Sequence, residues 1–312
     1  MQYEVIGFGE SVVDFIPIGA EDGCTIYKAC PGGSVANLCV VTARMGIKTA
    51  FIGGVGNDEF GRFLNKRIAE YGVHTGGMVV TDECGTNLTF VHLKDDGERA
   101  YSAVNQPGAD KMVDFSKINL KMALDCRVLH VSSNAMTCGK TREAQPILMK
   151  KAKEQGIIIS YDVNYRSNYY STEKEALEVL RTPLSWADIV KVTEEELCFL
   201  TGGCAERHAR QLLDGGAKIV LITKGEQGCD YLVKDEYGHV PAYKVKAIDT
   251  TGAGDCFLGG FLSWMLTYSN FDHFTCSDIR NACVWGNKTA AMSIQRIGAM
   301  SSVPIKAEVE KY

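Results

Sequence analysis

Apolar positions along the chain follow two alternating rhythms. YEVIGFG (3–9), TAFIGGVG (49–56), VLHVSS (128–133), IIISYDVN (157–164), DIVKVT (188–193) and KIVLITKG (218–225) are short apolar runs of the kind that form buried strands. Between them lie longer stretches with apolar residues three and four apart: SVANLCVVTARMG (34–46), DEFGRFLNKRIAEYG (58–72), TREAQPILMKKAKEQG (141–156), TEEELCFLTGG (193–203) and ERHARQLLDGG (206–216). These predict helices. Gly46 and Gly72 stand just past the ends of two of them, and Asp58 stands at an N-cap position. Strands separated by helices of about 10 to 15 residues imply βαβ units and a mostly parallel sheet covered on both faces.

Two segments break the rhythm. TNLTFVHLKDDGERAYSAV (86–104) predicts two strands joined by Asp95-Asp96-Gly97, a strong hairpin signal. Residues 11–30 are also extended in pattern, with little helical period. Together they predict a small β-sheet, placed as a lid on the α/β body.

Composition narrows the function classes. Hydrophobic residues make up 46% of the 312, enough for a sizeable core, and the net charge is −5. That balance lacks the basic bias expected of a nucleic-acid binder. The N-terminus has no signal-peptide pattern, and no apolar run approaches the ~20 residues of a membrane span, so the cytoplasm is expected. The 12 cysteines include no CxxC pair, and HExxH is absent. Several sit in apolar runs, and most are expected to be reduced core residues. GFGES (7–11) lacks the third glycine of a dinucleotide-binding turn, and there is no GxxxxGK[ST] phosphate loop.

The chemistry concentrates in DTTGAGD (249–255), followed by the apolar run CFLGGFLSWML (256–266). Small residues opening a helix leave backbone N–H groups free at its positive end, which makes an anion site. Asp255 then lies in the first turn beside the anion. A carboxylate there makes sense if it acts on a third group, such as a hydroxyl about to attack. A nucleophile, a base and donors for the transferred charge are the parts of phosphoryl transfer.

With these motifs in place, the chain resembles the ribokinase-like (PfkB) family of sugar kinases, and within it the fructokinase branch. PGGSVANLCVVTARMG (31–46) is similar to the family's N-terminal signature and DTTGAGDCFLGGFL (249–262) to its C-terminal one. Between them FIGGVGNDEFGRFL, DDGERAYSAVNQPGAD, YDVNYRSN, IVKVTEEELCFLTG and ITKGEQG match fructokinase-like segments in order. The resemblance implies one ribokinase-like three-layer α/β/α sandwich over 1–312, with residues 11–30 and 86–108 as an inserted β lid. It implies transfer of the γ-phosphoryl of ATP, with Mg2+ and potassium, to a sugar hydroxyl. Asp255 would be the base and Gly252, Ala253 and Gly254 the anion hole. Asp14, Gly33, Asn37, Asn105 and Arg166 would face the sugar. Lys191, Glu196, Thr223, Gly225, Gly228 and Asn287 would border the nucleotide, with Thr193 standing where the family's NxxE motif has Asn. Asp249, Thr251, Ser293, Arg296, Gly298 and Ser302 would form a monovalent-cation loop, mostly through backbone. A homodimer through the lid is also implied.

The acceptor stays open at this level. AVNQPGAD places Asn105 and Gln106 where such kinases often carry Arg, which favours a neutral hexose, fructose first, over 2-keto-3-deoxygluconate. DVNYR, in contrast, resembles the keto-deoxygluconate kinases. Ribose or a nucleoside is a further alternative. A non-catalytic sugar-binding regulator on the same fold is the reading from a different class, and the intact Asp255 and GAG argue against it.

Overall fold

Alternation along a strand sends neighbouring side chains to opposite faces of a sheet, and the central strands use it on both faces. The computed structural model describes all residues of 1–312 except 94–98, 105 and 235, with backbone alone at 93 and 99–101. The first third of the chain holds β1 (Tyr3–Phe8), β2 (Val12–Glu21), β3 (Cys24–Gly32), α1 (Ser34–Arg44), β4 (Thr49–Ile52), β5 (Gly54–Gly56), α2 (Glu59–Glu70), β6 (Val79–Thr81), β7 (Leu88–Leu93) and β8 (Arg99–Val104). Next come α3 (Leu120–Ala123), β9 (Cys126–Ser132), α4 (Gly139–Glu154), β10 (Ile158–Asp162), α5 (Glu173–Arg181), β11 (Ile189–Thr193), α6 (Glu194–Thr201) and α7 (Glu206–Asp214). The last third holds β12 (Ile219–Thr223), β13 (Cys229–Val233), β14 (Glu236–Val240), α8 (Ala253–Tyr268), α9 (Cys276–Ser293) and α10 (Lys306–Lys311).

The main sheet has the order β14-β13-β12-β11-β10-β9-β1-β4. Its strands from β12 to β4 are parallel, and β13 and β14 add an antiparallel edge. Ile6, Phe8, Leu129, Val131, Ile159, Val190 and Val192 pack on one face against Leu148 of α4, Leu180 of α5, Leu197 of α6 and Leu212 of α7. Val5, Val128, Ile189, Ile219 and Leu221 pack on the other against Leu38 of α1, Phe261 and Leu262 of α8 and Ile279 of α9. The result is the ribokinase-like three-layer α/β/α fold. Truncating a fully buried residue such as Leu129 to Ala would cost about 2–5 kcal/mol.

The two irregular segments meet each other. β2 runs antiparallel to β3 and parallel to β7, and β7 pairs antiparallel with β8, giving a separate four-stranded sheet β3-β2-β7-β8. Phe15 stacks on Phe90 at 4.7 Å and meets Phe60 of α2 edge-on, which ties this sheet to the body. The Asp95-Asp96-Gly97 turn lies outside the described residues.

Three expectations change. TAFIGGVG is two strands: after β4, β5 leaves the main sheet and pairs with β6. A side chain at Gly53 would meet Gly9 O at 2.3 Å, so glycine lets the chain turn away there. β13 and β14, beyond the five polar and glycine residues 224–228, are strands that the apolar pattern did not single out. The third change touches two cysteines: Cys198 and Cys204 are joined in a disulfide, while Cys24, Cys30, Cys39, Cys84, Cys126, Cys138, Cys229, Cys256, Cys276 and Cys283 form none, as expected of most.

Candidate active site

In parallel α/β sheets the strand C-termini and helix N-termini face the same way and form a crevice. Here a cavity of about 1000 Å³ opens at that end. Asp14, Gly33, Asn37, Arg166, Lys191, Thr193 and Glu196 line it. So do Thr223, Gly225, Gly228, Thr251, the Gly252-Ala253-Gly254-Asp255 turn and Asn287. Residues drawn from positions 14 to 287 of the chain therefore converge on one space.

The GAGD turn is built by conformation. Gly252 has φ 75°, a left-handed value that side chains other than glycine rarely tolerate, and it caps α8. Cys256 N–H makes the first helical bond, to Gly252 O at 2.8 Å, while Ala253 N–H is already committed to Thr250 O at 3.1 Å. The first-turn amides of Gly254 and Asp255 have no intrahelical partner to reach. A cation reinforces this spot. Lys191, in the middle of β11, lies so close that a Cβ on Gly254 would sit 3.2 Å from its Nζ.

Asp255 does not cap its own helix. Its Oδ1 accepts from Ser34 Oγ at 2.8 Å and its Oδ2 from Asn37 Nδ2 at 2.9 Å, both on α1. Burial pushes the Asp255 carboxyl up to about 7, and the nearby Asp162 charge adds to this; Asn37, Ser34 and Lys191 pull the other way. Lys191 is buried, which disfavours its charge. Asp162 at 3.1 Å and the Glu196 carboxylate outweigh burial and hold it above the usual lysine range. Asp14 is pushed up to about 7 by burial, with the Asp249 charge contributing.

The sugar-facing expectations divide. Asn37 lines the cavity beside Asp255, and its own Oδ1 has no partner among the described residues. Arg166 lines the cavity, exposed, and its Nη1 donates to Tyr165 O. Asn105 lies outside the described residues. Gln106 is exposed and is not part of the cavity wall, so the amide character rests on other residues. Asn87 and Asn134 supply it: both line the cavity, and each has a side-chain oxygen without a partner among the described residues.

At the nucleotide-side positions, Glu196 has a structural assignment. It forms a capping box with Thr193, accepting from Thr193 N–H at 2.7 Å, and its other oxygen accepts from Tyr165 N–H at 2.7 Å. Asn287 donates to Val240 O and Pro241 O, both at 3.1 Å, fastening α9 to the chain after β14. Thr223, Gly225 and Gly228 form the turn between β12 and β13, closed by Lys224 N–H to Gly228 O at 2.8 Å.

Asp249 joins the two segments expected to form a cation loop. It accepts from Thr251 N–H and from Gly298 N–H, each at 2.9 Å, while Ile248 and Asp249 N–H donate to Ile294 O. The side chains of Ser293 and Ser302 bond to local carbonyls, and Arg296 turns outward to Glu308 at 2.7 Å. Among the described residues no group of three His, Cys, Asp or Glu side chains is arranged to hold a metal. No helix among them is long and apolar enough to cross a membrane.

Sequence reasoning missed Ser34, Glu10, Asp162, Asp110 and Lys111. Ser34 stood inside PGGSVAN and Asp162 inside YDVNYR, so proximity to named residues was the available signal. Asp110, which pairs with Lys111 at 2.9 Å, likewise closed the segment AVNQPGAD, whereas Glu10 stood in GFGES with no signal of a role in the site. Cys256, beside Asp255, is a buried thiol that burial pushes up to about 12, which makes it a poor nucleophile.

Comparison with known proteins agrees with this geometry. Residues 4–306 match the family described as pfkB family carbohydrate kinase. Fructokinase-1 of Oryza sativa subsp. japonica is 36% identical over 98% of this chain and 96% of its own length. The structure of a fructokinase with bound ATP from Xylella fastidiosa superposes with a TM-score of 0.92 at 30% identity, covering 100% of this chain and 98% of that one. A fructokinase from Vibrio cholerae O395, bound to fructose, ADP and calcium ion, gives 0.90 at 31% identity, covering 100% and 99%. Sequence and fold comparisons thus point the same way, and the chain belongs to the pfkB family of carbohydrate kinases.

Proposed function

We propose that this kinase transfers the γ-phosphoryl of ATP to a hydroxyl of fructose. The observation that carries the reading is Asp255: a cavity-lining carboxylate held by Ser34 and Asn37, one residue from Gly254 and its neighbouring Lys191. Asp255 removes the proton of the acceptor hydroxyl as its oxygen attacks the γ-phosphorus. The bond from that phosphorus to the β–γ bridging oxygen breaks, and ADP leaves. The amides of Gly254 and Asp255 and the Lys191 ammonium face the charge on the transferred group, where fixed donors in a buried site act most strongly.

A neutral acceptor suits the wall. Asn37, Asn87 and Asn134 offer amide oxygens to sugar hydroxyls. Lys111 and Lys191, the buried ammonium groups there, are each paired with an aspartate. Fructose and ADP in the Vibrio relative fit this choice. 2-Keto-3-deoxygluconate is the second reading, carried by Arg166 at the cavity rim.

Mg2+ would enter on the ATP phosphates, since it commonly keeps only one or two protein carboxylates, and Asp162 and Glu194 on the wall are the carboxylates that would serve. Bound there it would neutralise phosphate charge. Potassium would sit among carbonyls of the 249–251 and 293–302 segments that Asp249 holds together, and a Vibrio fructokinase variant was seen with a potassium ion. The four-stranded sheet would close over the sugar as a lid inserted in a single 1–312 domain. Exposed Ile18 and Ile26 on that sheet suit a homodimer through it. A cytoplasmic location completes the proposal.

ADP release from Mg-ATP with potassium, across fructose, 2-keto-3-deoxygluconate, ribose, glucose and adenosine, tests the acceptor. Asp255→Asn should lower kcat by about 10²- to 10⁴-fold while sugar and ATP still bind. Retained turnover would remove Asp255 from the role of base.

A further inference from the structure

Helix α1 begins without a cap of its own. Its N-cap is Gly33, which has no side chain, and its first turn holds no acidic residue. The missing acceptor comes from a distant segment. Glu10, in the turn between β1 and β2, accepts from Ser34 N–H at 3.0 Å through Oε1. Ser34 in turn donates its hydroxyl to Asp255 Oδ1 at 2.8 Å. One residue thus receives from α1 at its backbone, and the same α1 residue gives to α8 at its side chain.

Glu10 is itself fixed. It is 4% exposed. Its Oε2 accepts from Ser132 Oγ at 3.0 Å, and Asn134 Nδ2 approaches Oε1 at 3.4 Å. The Lys111 ammonium faces it with opposite charge, and the Asp110 carboxylate with like charge. The 10–11 backbone also presses on Gly33, where φ is 102°: a Cβ would lie 2.6 Å from Glu10 O and 2.8 Å from Ser11 Cα. Glycine at 33 lets the two segments touch, so Glu10 replaces the cap that Gly33 cannot supply.

We infer that Glu10 is a positioning residue of the phosphoryl-transfer site, holding the first turn of α1 so that the Ser34 hydroxyl is aimed at Asp255. This rests on the reading of Asp255 as base. A hydrogen bond to the ionised carboxylate favours ionisation, so losing the Ser34 bond leaves Asp255 harder to deprotonate. Asp162, Lys191 and Asn37, the other groups facing Asp255, stay in place. A cap that serves stability alone would change the melting temperature and leave the titration of the rate where it was.

The test is the pH dependence of kcat/KM for fructose in the full chain, for wild type, Glu10→Ala, Glu10→Gln and Ser34→Ala. Glu10→Ala should move the acid limb up by about 1 pH unit, a loss of about tenfold at pH 6. Ser34→Ala should move it equally, and the double variant no further, because both act through one bond. Glu10→Gln keeps an amide oxygen for Ser34 N–H and should restore the limb. A Glu10→Ala limb that coincides with wild type overturns the inference. Should Glu10→Ala not fold, Glu10→Asp withdraws the carboxylate by one methylene and must shift the limb in the same direction; an unmoved limb there overturns it too. Turnover retained by Asp255→Asn would instead bring down the base reading, and this inference with it.

Discussion

Lys191 Nζ lies 3.1 Å from Asp162 Oδ1, and this buried pair stands at the start of α8 against Gly254. Asp162 keeps the ammonium charged where burial would neutralise it. The pair therefore delivers one cation to the point where phosphoryl charge would develop.

Replacing Lys191 with Met should lower kcat by about 10²- to 10³-fold, the usual loss when one preorganised donor is removed. KM for fructose should change little, because the ammonium faces the turn and not the amide wall. The acid limb of the rate should also rise, since Lys191 lowers the Asp255 pKa. Steady-state kinetics from pH 5.5 to 9 would decide. An unchanged kcat would leave Lys191 as a structural partner of Asp162 only.

Asp255 carries a stability penalty that its neutral analogue escapes. Its folded pKa of about 7 lies above the ordinary 3.8. A carboxyl raised on folding contributes stability that is present below 3.8 and is lost as pH rises through 7. Asp255→Asn does not titrate, so its advantage over wild type should grow between pH 5 and pH 8, by up to about 3 kcal/mol. Asp14 is present in both proteins and cancels. Urea unfolding at the two pH values measures it. An offset between the proteins that is the same at both would show that Asp255 is not raised on folding.

Asp249 bonds Thr251 and Gly298 N–H and so holds two segments in register around the proposed potassium position. Asp249→Asn keeps one acceptor oxygen and loses the other. Weakening a group that orients ligands typically costs about 10- to 100-fold in metal affinity. The potassium concentration for half-maximal rate should rise accordingly, with kcat largely recovered at saturation. A rate indifferent to potassium in the wild-type protein would dispose of the cation proposal outright.

The sequence made the body of this fold readable because its strands are buried on both faces and its helices are amphipathic. Asp58 at the N-cap of α2, with its side chain accepting from Gly61 N–H at 2.7 Å, was legible from local pattern alone. Asp255, Gly252, Lys191 and Asn37 were legible through motifs. Glu10 was not, because a cap supplied 24 residues away leaves no local signal. The departure of β5 was hidden in an apolar run that reads equally well as one strand. Gln106 looked like a wall residue by its place near PGAD, yet Asn87, just before β7, and Asn134, in the turn after β9, are on that wall.

Glu196 separates a structural role from a chemical one. Family resemblance would have it influence magnesium and phosphate through water. In the fold both of its oxygens accept backbone N–H groups, from Thr193 and Tyr165, and so dock the 163–166 segment on the head of α6. Gln at this position offers one acceptor oxygen and turns an NH2 donor toward the other N–H. Glu196→Gln should therefore destabilise the protein by about 1–3 kcal/mol, the cost of a buried donor left unmatched. Because the docked segment carries Arg166, KM for the sugar should rise with it, while the magnesium dependence of the rate stays where it is in wild type. Urea unfolding and a magnesium titration on the same variant separate the two roles. Unchanged stability with a shifted magnesium dependence would reverse the assignment and make Glu196 part of the phosphate chemistry.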